Sequence, residues 1–320
     1  MRKLLLTTSA LVAATSLASY AVADVSVSAN YEWTYTTAST DDTDTDGDSY
    51  GQVTEVTINF SNKTDSGLTV GATWDISAGV TSDEESMFIS GGFGRVDLGA
   101  NDHAADAYAI DESDVISEDA TYTPGSATIS TSSSIGLNGD TNKIKYTMPA
   151  MGNLTGAVSY QDSGVAGTTD ETSIGAQYSM DNLTVGWSRI EAETASGTKD
   201  SESTNMGIKA VFGATTVIAS AGDHITATED RENVGFGVKQ ALDGGMHIAA
   251  SMVESEDEYD KTAAGLTEKL TASHIEMGYS IAPGLSAFVS YSNYDYENGG
   301  NSTSIDDDGT LTKLTIKATF

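Results

Sequence analysis

Val25-Ser26-Val27-Ser28-Ala29-Asn30-Tyr31-Glu32-Trp33-Thr34-Tyr35 alternates apolar and polar side chains without a break. A period of two sets Val25, Val27, Ala29, Tyr31, Trp33 and Tyr35 on one face of an extended strand, and Ser26, Ser28, Asn30, Glu32 and Thr34 on the other. The same pattern returns along the chain. Val56, Ile58 and Phe60 stand against Glu55, Thr57 and Asn59; Leu68, Val70, Ala72, Trp74 and Ile76 stand against Thr69, Thr73 and Asp75. Short turns such as Asn62–Gly67, Asp181-Asn182 and Pro283-Gly284 alternate with longer acidic stretches, and sixteen such strands can be counted. One face is apolar with aromatic residues near the segment ends; the other is small, hydroxylated or charged. The spacing predicts an all-β chain, a 16-stranded antiparallel transmembrane β-barrel that is greasy outside and wet inside. Closing the sheet removes the edges that lipid cannot tolerate.

Composition narrows the function. With 47 Asp+Glu against 15 Lys+Arg, the net charge is −32, which excludes nucleic acid as a partner and favours cations as the attracted species. Cysteine is absent, so disulfides and thiol chemistry are excluded. Residues 1–23 read as a cleaved signal peptide: a basic start at Arg2-Lys3, an apolar run to Ala18, and Ala21-Val22-Ala23 as the cleavage site. That run is shorter than the roughly 20 residues a spanning helix needs. Residues 24–320 then form the barrel.

One stretch breaks the rhythm. After Ser90-Gly91-Gly92-Phe93-Gly94-Arg95-Val96-Asp97-Leu98-Gly99, residues 100–140 show no sustained apolar period and carry many carboxylates. An insert this long inside a regular array points to function.

The order of these features resembles the sixteen-stranded general diffusion porins of the Gram-negative outer membrane. The resemblance rests on Thr64-Asp65-Ser66-Gly67-Leu68-Thr69-Val70-Gly71-Ala72, on the Ser90–Gly99 segment, and on a last strand with Leu314, Ile316, Ala318 and Phe320 at alternate positions. It implies a passive, water-filled channel for small hydrophilic solutes, a homotrimer, and a third extracellular loop folded inward as the constriction. It also implies that the strand ending in Phe320 is the signal read by the barrel assembly machinery. Carried over, residues 100–140 are the constriction loop, with Asp102, Asp106, Asp111, Glu112 and Asp114 at the eyelet. The lumen wall is expected to present Glu32, Glu55, Asp75, Lys143 and Lys145.

The chain departs from the family in one respect. The family sets an arginine-rich wall, supplied by early strands, against the acidic rim. Here only Lys63 and Arg95 are basic between Asp24 and Asn142, and both are read as lying in short turns. An acidic eyelet without a cationic wall predicts cation selectivity.

Other sites are weaker. Asp42, Asp44 and Asp46 match the first half of a calcium loop, but Val53 stands where the bidentate glutamate belongs, so only loose Ca²⁺ binding is expected. Divalent cations could also bridge acidic loops to lipopolysaccharide in the outer-membrane lipid. His103 is expected to be a solvated loop residue. No catalytic residues are assigned. A substrate-specific porin would need a lumenal ladder of aromatics, whereas most Tyr and Trp fall on the lipid face. The alternative of another class is a secreted acidic β-rich adhesin or surface-layer protein.

Overall fold

The computed structural model describes residues 24–40, 47–77, 84–118, 141–162, 169–194, 199–227, 229–258, 267–297 and 306–320. The signal peptide and Asp42, Asp44 and Asp46 lie outside them, as do residues 119–140 of the insert.

Sixteen strands pair in sequence order, each antiparallel to the next, and the first closes on the last. They are β1 (Asp24–Thr40), β2 (Gly47–Lys63), β3 (Thr69–Ser77), β4 (Glu85–Gly91), β5 (Gly94–Asn101), β6 (Thr141–Thr147), β7 (Leu154–Gln161) and β8 (Thr169–Met180). There follow β9 (Leu183–Thr194), β10 (Lys199–Phe212), β11 (Thr215–Thr226), β12 (Asp230–Ala241), β13 (Met246–Glu258), β14 (Thr267–Ala282), β15 (Leu285–Glu297) and β16 (Asp307–Thr319). No sheet edge remains. The seam is finished by Ala29 and Phe320, each donating its N–H to the other's carbonyl, at 3.2 and 2.8 Å.

The expected alternation holds in space. Val27, Tyr31, Phe60, Trp74, Tyr178, Phe212, Phe236, Met252, Met277 and Phe320 are all exposed on the outer face. Serines, asparagines and carboxylates at the intervening positions line the interior. An exposed apolar belt around a closed sheet excludes the soluble β-rich alternative, because water would be its only partner.

The structure adjusts the boundaries. Ala100 and Asn101, expected to open the insert, continue β5 and pair with Asn142 and Thr141. Arg95 is not a turn residue. It is the second residue of β5, its guanidinium 3.8 Å over the Phe88 ring and 2.6 Å from Asp97. The tight turn before it works because Gly94 takes φ 109°, where a side chain would also overlap the Thr147 carbonyl.

The orientation of the faces gives a direct test. Phe236, 50% exposed in the middle of β12, faces lipid. Phe236→Arg is expected to destabilise the refolded protein by about 2–4 kcal/mol in denaturant titrations from lipid vesicles. Thr57→Lys on the wet face is expected to leave it within about 0.5 kcal/mol of the parent.

Candidate functional site: the third loop on the barrel wall

After β5, residues 102–118 leave the sheet and run along its inner wall, in contact with strands far from them in sequence. Its buried backbone groups need partners, and inward-facing side chains supply them. At the root, Lys143 donates to the carbonyl of Asn101 and Lys145 to that of Asp102, the latter at 3.1 Å. The Ala104 N–H then donates to Ser159 on β7 at 3.0 Å, and that of Ala105 to Ser173 on β8 at 3.3 Å. Further on, Gln177 donates to the Tyr108 carbonyl, and the Ile110 N–H donates to Asn205 on β10 at 3.2 Å. The hydrogen-bonding side chains thus step around the barrel as the loop does.

Two short 3-10 turns shape the segment, Asp106–Tyr108 and Glu112–Val115. The second is capped by Asp111, which accepts from the Ser113 N–H at 2.9 Å and from its hydroxyl at 2.5 Å. Apolar contacts fix both turns. Tyr108 packs with Ala104 and Ala157, while Ile110 and Val115 close over Ile218 and Ala249.

The far end is held by one carboxylate. Glu276 on β14 is fully buried; it accepts from the Ser117 N–H at 3.0 and 3.1 Å and from the Glu118 N–H at 2.8 Å. His247 Nε2 lies 2.8 Å from the same carboxylate, and Lys239 donates to the Ser117 hydroxyl at 2.8 Å. Glu118 reaches Lys317 on β16 at 3.3 Å, and Lys317 also lies 3.7 Å from Glu32 on β1. From β5 to β16 the segment follows the inner wall.

The five eyelet candidates divide. Asp106 and Asp114 are exposed into the lumen, and Asp102 is half-buried at the root. Asp111 is buried as the cap of the second turn. Glu112 corrects the expectation: at 1% exposure it turns to the wall and accepts from the Ser220 hydroxyl at 3.1 Å. Burial with the Ser220 hydrogen bond holds it there.

Of the wall residues, Glu32 sits 3.6 Å from Lys313 as well as near Lys317. Glu55 takes a long 3.5 Å hydrogen bond from Thr57, and Asp75 is half-buried on the next strand. Lys143 and Lys145 are tied to the loop root and are not free lumenal cations. His103 is likewise not solvated; it is buried 3.3 Å from the Glu171 carboxylate.

Although Asp114 opens to the lumen, protein packed around its carboxyl withdraws part of its water, and this partial desolvation, then the charge of Asp111, raises it from 3.8 to about 6. Glu118 is also pushed upward, by burial first and by Glu32 second. Raised carboxyls favour the docked loop in full below their ordinary values of 3.8 and 4.5, and that contribution is lost as pH climbs through the raised ones.

Glu276, Asn205 and Ser220 were not singled out from sequence. Each is an ordinary inward strand residue until the register places the loop above it.

The sequence profile of the Gram-negative porins matches residues 7–299. This chain belongs to that family. It is an outer-membrane channel protein, and the closed barrel is the family's architecture. Among solved structures, it is similar to OmpT of Vibrio cholerae in a form lacking loop L8, at 11% identity and a TM-score of 0.70, covering 93% of this chain and 99% of that one. It is also similar to an anion-selective porin from Comamonas acidovorans, at 13% identity and a TM-score of 0.68, covering 93% and 100%. A Rh. blastica porin variant aligns at 18% identity and a TM-score of 0.64, again over 93% and 100%. No curated protein sequence matches the chain.

The anchor at Glu276 can be probed directly. Glu276→Ala leaves the Ser117 and Glu118 amides without an acceptor, a loss of more than about 1.4 kcal/mol. Hydrogen exchange at these two amides is expected to accelerate at least about tenfold, with the barrel amides unchanged; equal protection in both proteins would remove Glu276 from this role.

Proposed function

We propose that the chain is a passive channel for small hydrophilic solutes and ions, that the docked third loop forms its constriction, and that the constriction prefers cations. The observation that carries the reading is the sign of the charge on the side chains that face the lumen. Asp106 and Asp114 stand exposed in the lumen, while Lys143 and Lys145 are engaged by loop carbonyls and Arg95 by Asp97. Glu55 and Asp75 add negative charge on the opposite wall, where Glu32 is offset by Lys313 and Lys317. A narrow path lined by more carboxylates than cations concentrates cations and repels anions, and the overall charge of −32 acts in the same direction.

A homotrimer is part of this proposal. It is supported by the trimer form recorded for the OmpT relative of Vibrio cholerae and by the run of short strands from β3 to β7, 7–9 residues each. The strand ending at Phe320, 81% exposed, suits recognition by the barrel assembly machinery, and the outer-membrane lipid with its lipopolysaccharide surrounds the apolar belt.

Reversal potentials of single channels in a salt gradient test the selectivity; an anion preference at pH 8 would overturn it. The preference is expected to weaken as pH falls from 8 to 5, because Asp114 loses its charge near 6 and protonation of Glu118 leaves Glu32 as the carboxylate that offsets Lys317. Asp114→Asn is expected to lower the cation preference at pH 8 and to flatten that decline.

A further inference from the structure

Four adjacent strands carry almost no side chain along one row of the inner wall. Gly186 on β9 pairs with Gly207 on β10, Gly207 with Ser220 on β11, and Ser220 with Gly235 on β12. Neighbouring strands lie about 4.8 Å apart, so the row is a shallow trough roughly 15 Å long. Gln177 stands opposite Gly186 at one end and Val253 opposite Gly235 at the other.

The loop lies in this trough. A methyl group built on Gly186 would come within 2.5 Å of the Tyr108 carbonyl oxygen, and one on Gly207 would overlap the Ile110 carbonyl. At Gly235 the overlap is with the Glu112 carboxylate, and at Gly237 the new carbon would lie 2.5 Å from the Glu112 carbonyl. Every second loop residue, Tyr108, Ile110 and Glu112, therefore rests on a glycine.

Backbone conformation does not explain these residues. Among the described residues, the glycines with positive φ are Gly67, Gly94, Gly99, Gly152, Gly213, Gly244, Gly245 and Gly284, and none is in the row. Any residue could adopt the φ of Gly186, Gly207 or Gly235. Glycine inside a strand costs about 0.5–1 kcal/mol relative to alanine, so three in register need another reason. Close approach of a second backbone supplies it.

We propose that Gly186, Gly207 and Gly235 are the positioning residues that set the aperture, by letting the loop lie flush against the wall. The inference rests on the reading of that loop as the constriction. Solute size selection is then written in the absence of side chains on one wall as much as in the carboxylates facing the pore. Adding a carbon beneath the loop lifts it into the lumen and narrows the path.

The test is single-channel conductance and the sugar-size cut-off in liposome swelling for Gly207→Ala, Gly186→Ala and Gly235→Ala, with heat-modifiable migration reporting the folded barrel. Lifting the Ile110 carbonyl by roughly 1 Å is expected to lower conductance by about a third in Gly207→Ala and to shift the cut-off to smaller sugars. Gly186→Ala is expected to do somewhat less. Gly235→Ala is expected to do least, because a Glu112 side chain can swing aside where a backbone carbonyl cannot. Glu112→Ala combined with Gly235→Ala is expected to return the conductance of Glu112→Ala alone. Ser28→Thr, which adds a carbon to the open wall of β1, is expected to change nothing.

Folded Gly207→Ala with wild-type conductance and cut-off would overturn the proposal. Should Gly207→Ala not fold, Gly186→Ala decides, because it too meets a backbone carbonyl, and wild-type conductance and cut-off in that variant overturn the proposal equally. If Asp114→Asn alters selectivity while the glycine variants change nothing, only this proposal falls. If neither alters the channel, the constriction reading falls with it.

Discussion

A backbone in hydrocarbon has no water to turn to, so each N–H and C=O must find its partner within the protein. Everything in this molecule follows from that. The strands satisfy one another around a closed ring, and the ring closes because β1 pairs with β16 from Asn30–Thr319 to Thr40–Gly309, with Ala29 and Phe320 exchanging hydrogen bonds at the end of the seam. The same demand meets the irregular segment inside, where no ladder is available. There the wall side chains Ser159, Ser173, Asn205 and Glu276 become the acceptors. The loop is positioned by the need to satisfy its amides as much as by its own preferences.

Electrostatics is arranged around this requirement. Most of the few inward cations are used locally: Lys143 and Lys145 at the loop root, Lys239 at Ser117, Lys317 between Glu32 and Glu118. Arg189 is spent on the outer face, on Glu191 and Glu202 at 2.9 and 2.7 Å. A chain with 15 basic residues can hold its acidic loop in place, and few remain to form a separate positive wall.

Much of the barrel was legible because it is local. Val25 to Tyr35 declares two faces at a period of two, and each turn carries its own glycine, proline or asparagine. Arg95 was misplaced because a strand that starts one residue after a tight turn looks like the turn. The site was harder, since its contacts join residues up to 199 apart, as between Glu118 and Lys317. Glu112 looked like its acidic neighbours, and only the docked geometry separates a carboxylate under the loop from Asp114 above it. Gly186, Gly207 and Gly235 were visible as letters, but only the strand register sets them in one row.

The docked segment from β5 to β16 has a mechanical consequence. A cylinder made of a single sheet is stiff against stretching around its circumference, where hydrogen bonds would have to break, and compliant against flattening into an ellipse. A segment rooted at Asn101 and Asp102, seated on the wall in between and tied at Glu276 and Lys317 stiffens that arc of the sheet as an internal brace. It opposes ovalisation when the surrounding bilayer presses unevenly. The bore keeps its cross-section by the same ties that narrow it.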